Sequence, residues 1–142
     1  MSLFDRLVLA SLPLVPKAVI WTVAKRYVAG AELSDALDRI RAVRADGFGS
    51  ILDVLGEGVA DLEAAEAAVV EYERALDALP DVDPGTTVSV KPTHLGATLD
   101  ARACERLLGR LCERAAEQGR RVRFEMEDSP TVDVTLGVFR RV

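Results

Sequence analysis

The chain has 142 residues, 49% apolar and 29% charged, with a net charge of −5. Those proportions describe a folded globular protein rather than a disordered one, and the acidic balance argues against a nucleic-acid partner, which needs a basic face. Cys104 and Cys112 are too few for a disulfide framework and, about 12 Å apart along one helix axis, are beyond bridging reach. A reducing cytosol is the simplest setting.

No segment reaches the ~20 uninterrupted apolar residues of a membrane span. The nearest approach, Leu7 to Pro16, is bounded by Arg6 and Lys17 and interrupted by Pro13 and Pro16. An apolar run after an early arginine is also how a signal peptide begins, but no small-residue cleavage pattern follows, and the chain continues as a basic helix, Val19 to Val28. Residues 1–29 carry Arg6, Lys17, Lys25 and Arg26 against Asp5, a net +3, which leaves −8 on the remainder. That asymmetry permits a weak membrane-surface contact. A helical arm packed on the body is the plainer reading.

Beyond Ala31 the pattern alternates between two periods. Leu33, Leu37, Ile40 and Val43 recur at helical spacing up to Gly47, a suitable C-terminal residue. Ser50 to Gly56 reads as a first strand. Val59, Leu62, Val69, Leu76 and Leu79 mark a second helix, ended by the turn signal Pro80-Asp-Val-Asp-Pro-Gly85. Thr87 to Lys91 reads as the second strand. Cys104, Leu107, Leu108, Leu111 and Ala115 trace an amphipathic helix closed by Gly119, with both cysteines on its apolar stripe as small core residues. Val122 to Met126 reads as the third strand. Ser129 is then placed to cap a last helix with Pro130 at its first position and Val132, Leu136 and Phe139 on one side.

Corresponding strand positions Ile51, Val88 and Val122 recur at the length of a strand, a crossover helix and two loops. Such a βα repeat makes parallel strands with right-handed crossovers. A doubly wound sheet and a (β/α)8 barrel both begin this way, and the alternation of side chains separates them. Leu52, Val54, Val88, Val90, Val122 and Phe124 form one apolar parity that must face helices. The other holds Asp53, Ser89, Lys91, Arg123 and Glu125, with Ile51 and Leu55 among them. A parallel sheet covered on both faces has near-continuous apolar strands, so one charged face points to helices on one side and a barrel interior on the other. An open sheet with one face in water is the bland alternative.

Polar residues gather after all three strands: Glu57; Lys91, Thr93 and His94; Glu125, Glu127 and Asp128. In βα architectures this end carries the site. Lys91 and Glu125 share the inward parity on adjacent strands, about 4.8 Å apart, so they can pair directly. Such a pair in a polar lumen speaks for function, although a structural ion pair would look the same. His94 is the sole histidine, which leaves no second imidazole for a metal cluster, and by itself it reads as a loop residue. Gly47-Phe-Gly49 precedes a strand, whereas a dinucleotide fingerprint follows one. The residues alone give a lumenal cation and carboxylate, without naming a reaction.

Three motifs in order, Ile51-Leu-Asp-Val-Leu-Gly-Glu57, Ser89-Val-Lys-Pro-Thr-His-Leu-Gly96 and Arg123-Phe-Glu-Met-Glu-Asp-Ser-Pro130, resemble the first three barrel strands of bacterial proline dehydrogenase. Arg26-Tyr-Val-Ala-Gly30 resembles the segment before that family's barrel. The resemblance implies an α/β fold made of the first three βα units of a (β/α)8 barrel, with a helical arm over 1–49, a partial barrel over 50–142, and the barrel incomplete. It implies a flavoenzyme that oxidises L-proline to Δ1-pyrroline-5-carboxylate, with FAD as cofactor, a quinone or other electron acceptor, no metal, and a cytoplasmic setting with room for contact at the inner membrane face. By the same resemblance Lys91 binds the substrate carboxylate and Glu125 stands at the position of an active-site acid. The family pattern there is Asp-Met-Glu-Asp-Ser, so this chain has one more methylene. Met126 matches the residue that contacts flavin; its outward parity makes its backbone the expected contact. Arg140 and Arg141 lack the family's preceding tyrosine motif and read as surface residues. The 93 residues of 50–142 fall short of the ~250 of a closed barrel, so the expectation is an isolated chain that does not complete the site. Two other classes fit the same residues: a non-enzymatic α/β module that pairs through its open strand edge, and a flavin barrel for another substrate.

Overall fold

The computed structural model describes residues 16–142, so the apolar run from Leu7 and the signal-peptide question lie outside the described residues. The described residues fall into two compact units, one ending at Ala36 and one spanning Leu37–Val142. In the first, helix α1 (Lys17–Ala24) follows Pro16. It starts earlier than Val19 and stops at Ala24, after which residues 25–27 form a turn with Tyr27 N and Val28 N donating to Ala24 O at 2.8 and 2.9 Å. Among the described residues no helix is long and apolar enough to cross a membrane.

The elements that follow are α2 (Leu33–Ala45), β1 (Ile51–Asp53), α3 (Leu62–Ala78), β2 (Thr87–Val90), α4 (Ala101–Glu117), β3 (Val122–Phe124) and α5 (Val132–Phe139), with short 3-10 turns at Pro92–Leu95 and Ser129–Thr131. Gly47 ends α2 at φ 84°, in the left-handed region that glycine enters freely. Asp61 caps α3 by accepting from Ala64 N at 2.8 Å, and Asp100 caps α4 by accepting from Arg102 N and Ala103 N at 2.9 and 3.1 Å. Each cap stabilises its helix by about 1 kcal/mol. Ser129 makes no such cap. The chain turns once more before α5, and Thr131 Oγ1 bonds to Asp128 O and Oδ1 at 2.9 and 3.0 Å.

The three strands are parallel, in the order β1-β2-β3, with Leu52, Val88 and Val122 in one row and Asp53, Ser89 and Arg123 in the next. All three are shorter than their β-like sequence. Pro92, with no N–H to donate, turns the chain after Lys91, and one further bond, Glu125 N to Val90 O at 2.9 Å, continues the pairing past Phe124.

The apolar parity packs as the alternation requires. Val88 and Val90 are fully buried against Val69, Tyr72 and Leu76 of α3 and Leu108 and Leu111 of α4, with Leu52, Val54, Val122 and Phe124 at the margin. Phe124 meets Phe139 of α5 edge-to-face, ring centres 5.2 Å apart. Cys104 lies inside this core, its thiol pushed up to about 12 by burial; Cys112 is only half-buried. Across their outer faces α3 and α4 are joined by Arg110 to Glu66 and Glu73 and by Arg114 to Asp77. Exposed pairs of this kind add a few tenths of a kcal/mol, so apolar burial holds the helices together.

At the N-terminal end of the sheet a polar cluster pins the strands. Asp83, 7% exposed, accepts from Gly85 N, from Thr86 Oγ1 and from the Arg44 guanidinium of α2, while Arg120 donates to Asp83 O and Thr86 O. Ser50 and Thr86 share a hydroxyl contact of 2.7 Å, linking the starts of β1 and β2. The Gly85 bond, then that of Thr86, with the Arg44 charge in support, holds the Asp83 carboxyl below the usual carboxylate range. A depressed folded-state pKa gives stability that is present above the unfolded value, about 3.9, and lost as pH falls through the folded one. Asp83→Asn should therefore cost about 1–3 kcal/mol at neutral pH, and urea melts should show the gap to the native chain closing below about pH 4.

Candidate active site at the strand ends

The polar parity converges on one lysine. Lys91 leaves the end of β2 and donates to Asp53 Oδ2 at 2.9 Å, and it pairs with Glu125 Oε2 at 3.3 Å. Ser89 Oγ donates to the other Glu125 oxygen at 2.5 Å. Strand register explains who meets whom: Lys91 is level with Glu125, whereas Asp53 is level with Ser89, one same-face step back, so Lys91 reaches it on the diagonal.

The Lys91 side chain is 13% exposed, against 29% for Asp53 and 35% for Glu125. Burial pulls its pKa down, but the Asp53 hydrogen bond and charge, and then those of Glu125, outweigh that and leave it raised. Glu125 is held ionised below its ordinary value chiefly by the Ser89 hydroxyl, against a smaller burial effect and with Lys91 helping. The expected Lys91–Glu125 pair is thus present. Its second carboxylate, Asp53, was legible only as an inward-facing residue.

This network opens into a cleft of about 780 Å³ lined by Glu57 and Gly58 after β1, Lys91, Thr93 and Thr98 after β2, and Glu125 to Asp128 with Thr131 after β3. The expected polar ends therefore meet in one place. Met126 does not follow the outward parity. The strand stops at Phe124, the alternation lapses, and Met126 lines the cleft, 51% exposed, beside Lys91 and Glu125. Its side chain is available as well as its backbone.

A chain of hydrogen bonds that no motif announced ties the three loops together. Gly58 N donates to Thr93 Oγ1 at 3.3 Å, the Thr93 hydroxyl donates to Glu127 Oε1, and Thr93 N donates to Glu127 Oε2 at 3.1 Å. One buried threonine thus fixes the loop after β1 and the loop after β3 relative to β2.

His94 lies outside the cleft. Its ring covers Gly56, where a Cβ would come within 2.2 Å of two ring atoms, and it meets Tyr72 edge-on with centres 5.9 Å apart. Burial, followed by the Lys91 charge, lowers its pKa and keeps it neutral at pH 7. Tyr72 in turn donates to Val54 O at 3.4 Å. His94 thus packs against the loop after β1.

The sequence model of the family described as proline dehydrogenase matches residues 36–142. The chain belongs to the proline dehydrogenase family. It is 29% identical over 124 residues to a proline dehydrogenase of Deinococcus radiodurans and 25% identical over 118 residues to proline dehydrogenase 1 of Bacillus subtilis; these matches cover 85% and 83% of the chain. It spans only 40% and 39% of those relatives' lengths. Among solved structures, proline utilization A of Bdellovibrio bacteriovorus, inactivated by N-propargylglycine, superposes with a TM-score of 0.75 at 21% identity, over 87% of this chain and 15% of that one. At that identity the superposition shows a shared fold.

Asked whether they suit a flavin, the cleft residues give a divided answer. Half-exposed Met126 offers apolar surface for the planar ring. Lys91, the one basic residue lining the cleft among the described residues, is already held between two carboxylates, with Glu57, Glu127 and Asp128 nearby. The set fits the ring and not the pyrophosphate.

Two outcomes check this geometry. Thr93→Val should destabilise the fold by about 1–3 kcal/mol in urea melts because it takes the hydroxyl partner from Gly58 N and Glu127 Oε1 and leaves only the backbone bond to Oε2, and Thr93→Ser should restore most of it. Gly56→Ala should cost about 1–3 kcal/mol by displacing the imidazole. Placing it on His94→Ala should remove most of that cost; additive losses would refute the contact.

Proposed function

We propose that the chain provides the first three βα units of a (β/α)8 barrel that oxidises L-proline to Δ1-pyrroline-5-carboxylate, with FAD as cofactor and a quinone as the eventual acceptor. The observation that carries this reading is the Lys91 ammonium held between Asp53 and Glu125 at the C-terminal ends of parallel strands, in a chain of this family. An ammonium has three protons; two meet Asp53 and Glu125, and the third is the donor we assign to the substrate carboxylate. The Glu125 charge suits the cationic amine of proline, a role that needs an ionised carboxylate. Met126 is the residue we assign to the flavin ring, and the pyrophosphate falls to groups other than those lining this cleft. When bound, the flavin takes up the hydride equivalent. The work of these side chains is to orient the amino acid and balance its charges.

Because the chain matches about two-fifths of its relatives, we further propose that it does not turn over alone. Purified chain should show no proline-dependent dye reduction, and stoichiometric FAD with turnover would overturn that statement. A chimera in which this chain replaces the matching 40% of the Deinococcus relative supplies the test of Lys91. With flavin absorbance reporting assembly, Lys91→Met should lower kcat/KM at least a hundredfold, about 3 kcal/mol, as loss of a desolvated charge partner does. Full activity in that variant would remove Lys91 from the site.

A further inference from the structure

We propose that the outer edge of β3 is an interface between two copies of this chain, which pair their third strands antiparallel about a two-fold axis at Phe124. Among the described residues no strand pairs with that edge, and an open edge is a row of unpaired donors and acceptors. The hydrogen bond from Glu125 N to Val90 O fixes which way the backbone faces. Glu125, and Arg123 two residues before it, direct their N–H and C=O groups to β2, so Val122 and Phe124 direct theirs outward. Phe124 can therefore exchange both bonds with the Phe124 of a second copy.

Charge selects the partner and the register. Two such edges bond only where outward-facing residues lie opposite each other, which puts the axis at a residue and not between two. Centring on Val122 or Arg123 sets arginines opposite each other, and centring on Glu125 sets glutamate on glutamate; like charges directly opposite are destabilising. Centring on Phe124 sets Arg123 opposite Glu125 on both sides of the axis, because Arg121-Val-Arg-Phe-Glu-Met-Glu127 is basic before the phenylalanine and acidic after it. Arg123 is exposed. The cluster around Lys91 holds two carboxylates against one ammonium, so the Arg123 of a second copy brings the positive charge that balances it. On the apolar face the same axis sets Phe124 beside its counterpart, and Phe139, its ring centre 5.2 Å from that of Phe124 and 57% exposed, gains cover. This edge is where a fourth strand would lie in the barrel reading, but the pairing of copies needs neither flavin nor substrate, so its test stands apart from the enzymatic one.

Sedimentation equilibrium of the full chain should show a monomer–dimer equilibrium. Arg123→Glu turns two attractive cross-strand pairs into two repulsive ones and should raise the dimer dissociation constant about tenfold or more, with circular dichroism confirming an unchanged fold. Cross-linking reads the register. A chain carrying Arg123→Cys, mixed with one carrying Glu125→Cys, should form a disulfide-linked pair on mild oxidation, because opposite residues of that kind come about 4.5 Å apart at Cα. Each variant by itself should cross-link no more than the native chain, whose half-buried Cys112 sets the background. A chain that stays monomeric into the high micromolar range overturns the proposal. So does assembly that grows past two copies, which would mean that β3 of one copy adds to the β1 edge of the next. A dimer untouched by Arg123→Glu, or an Arg123→Cys chain that links to itself, overturns it as well.

Discussion

The register of three short parallel strands is the constraint on which the rest depends. Parallel pairing aligns Leu52, Val88 and Val122, and the period of two then sends every second residue to the helices and every other one to the opposite face. Shifting one strand by a residue would bury Asp53 or Arg123 and expose a valine. The same register sets Lys91 opposite Glu125 and one step beyond Asp53, so the lysine has both partners only because both strand pairs are aligned.

Each end of the sheet is secured by a different chemistry. At the N-terminal end Asp83 gathers backbone, hydroxyl and guanidinium donors, and Arg120 collects carbonyls, fixing where β2 and β3 begin. At the C-terminal end Thr93 bridges the neighbouring loops. In the first cluster Asp83 and Thr86 are buried, which suits stability. The second borders an open acidic cleft, and its members set the positions of groups that a ligand would meet.

Glutamate at 125 has a structural reason. Its longer side chain gives one oxygen to Lys91 and the other to Ser89, a same-face step back along the neighbouring strand. The carboxylate is therefore braced by two neighbours and stays ionised. The extra methylene becomes reach along the sheet.

The order of helices and strands, their parallel pairing, the division of residues between core and polar face, and the meeting of Lys91 with Glu125 were all determined by the sequence, because hydrophobic period and strand spacing are local and geometric. Three motifs carried the family for the same reason: each sits on one strand and its following loop. Tertiary structure alone decided the rest. The Asp53 contact is a diagonal reach that depends on register between strands. The Thr93 bridge depends on how three loops fold back over one another. Met126 lines the cleft because pairing ended with the Glu125–Val90 bond and the alternation with it, and His94 became a packing residue because Gly56 left room for its ring. Periodicity says which way a side chain points while a strand lasts; where strands end, only the packed chain says what meets what.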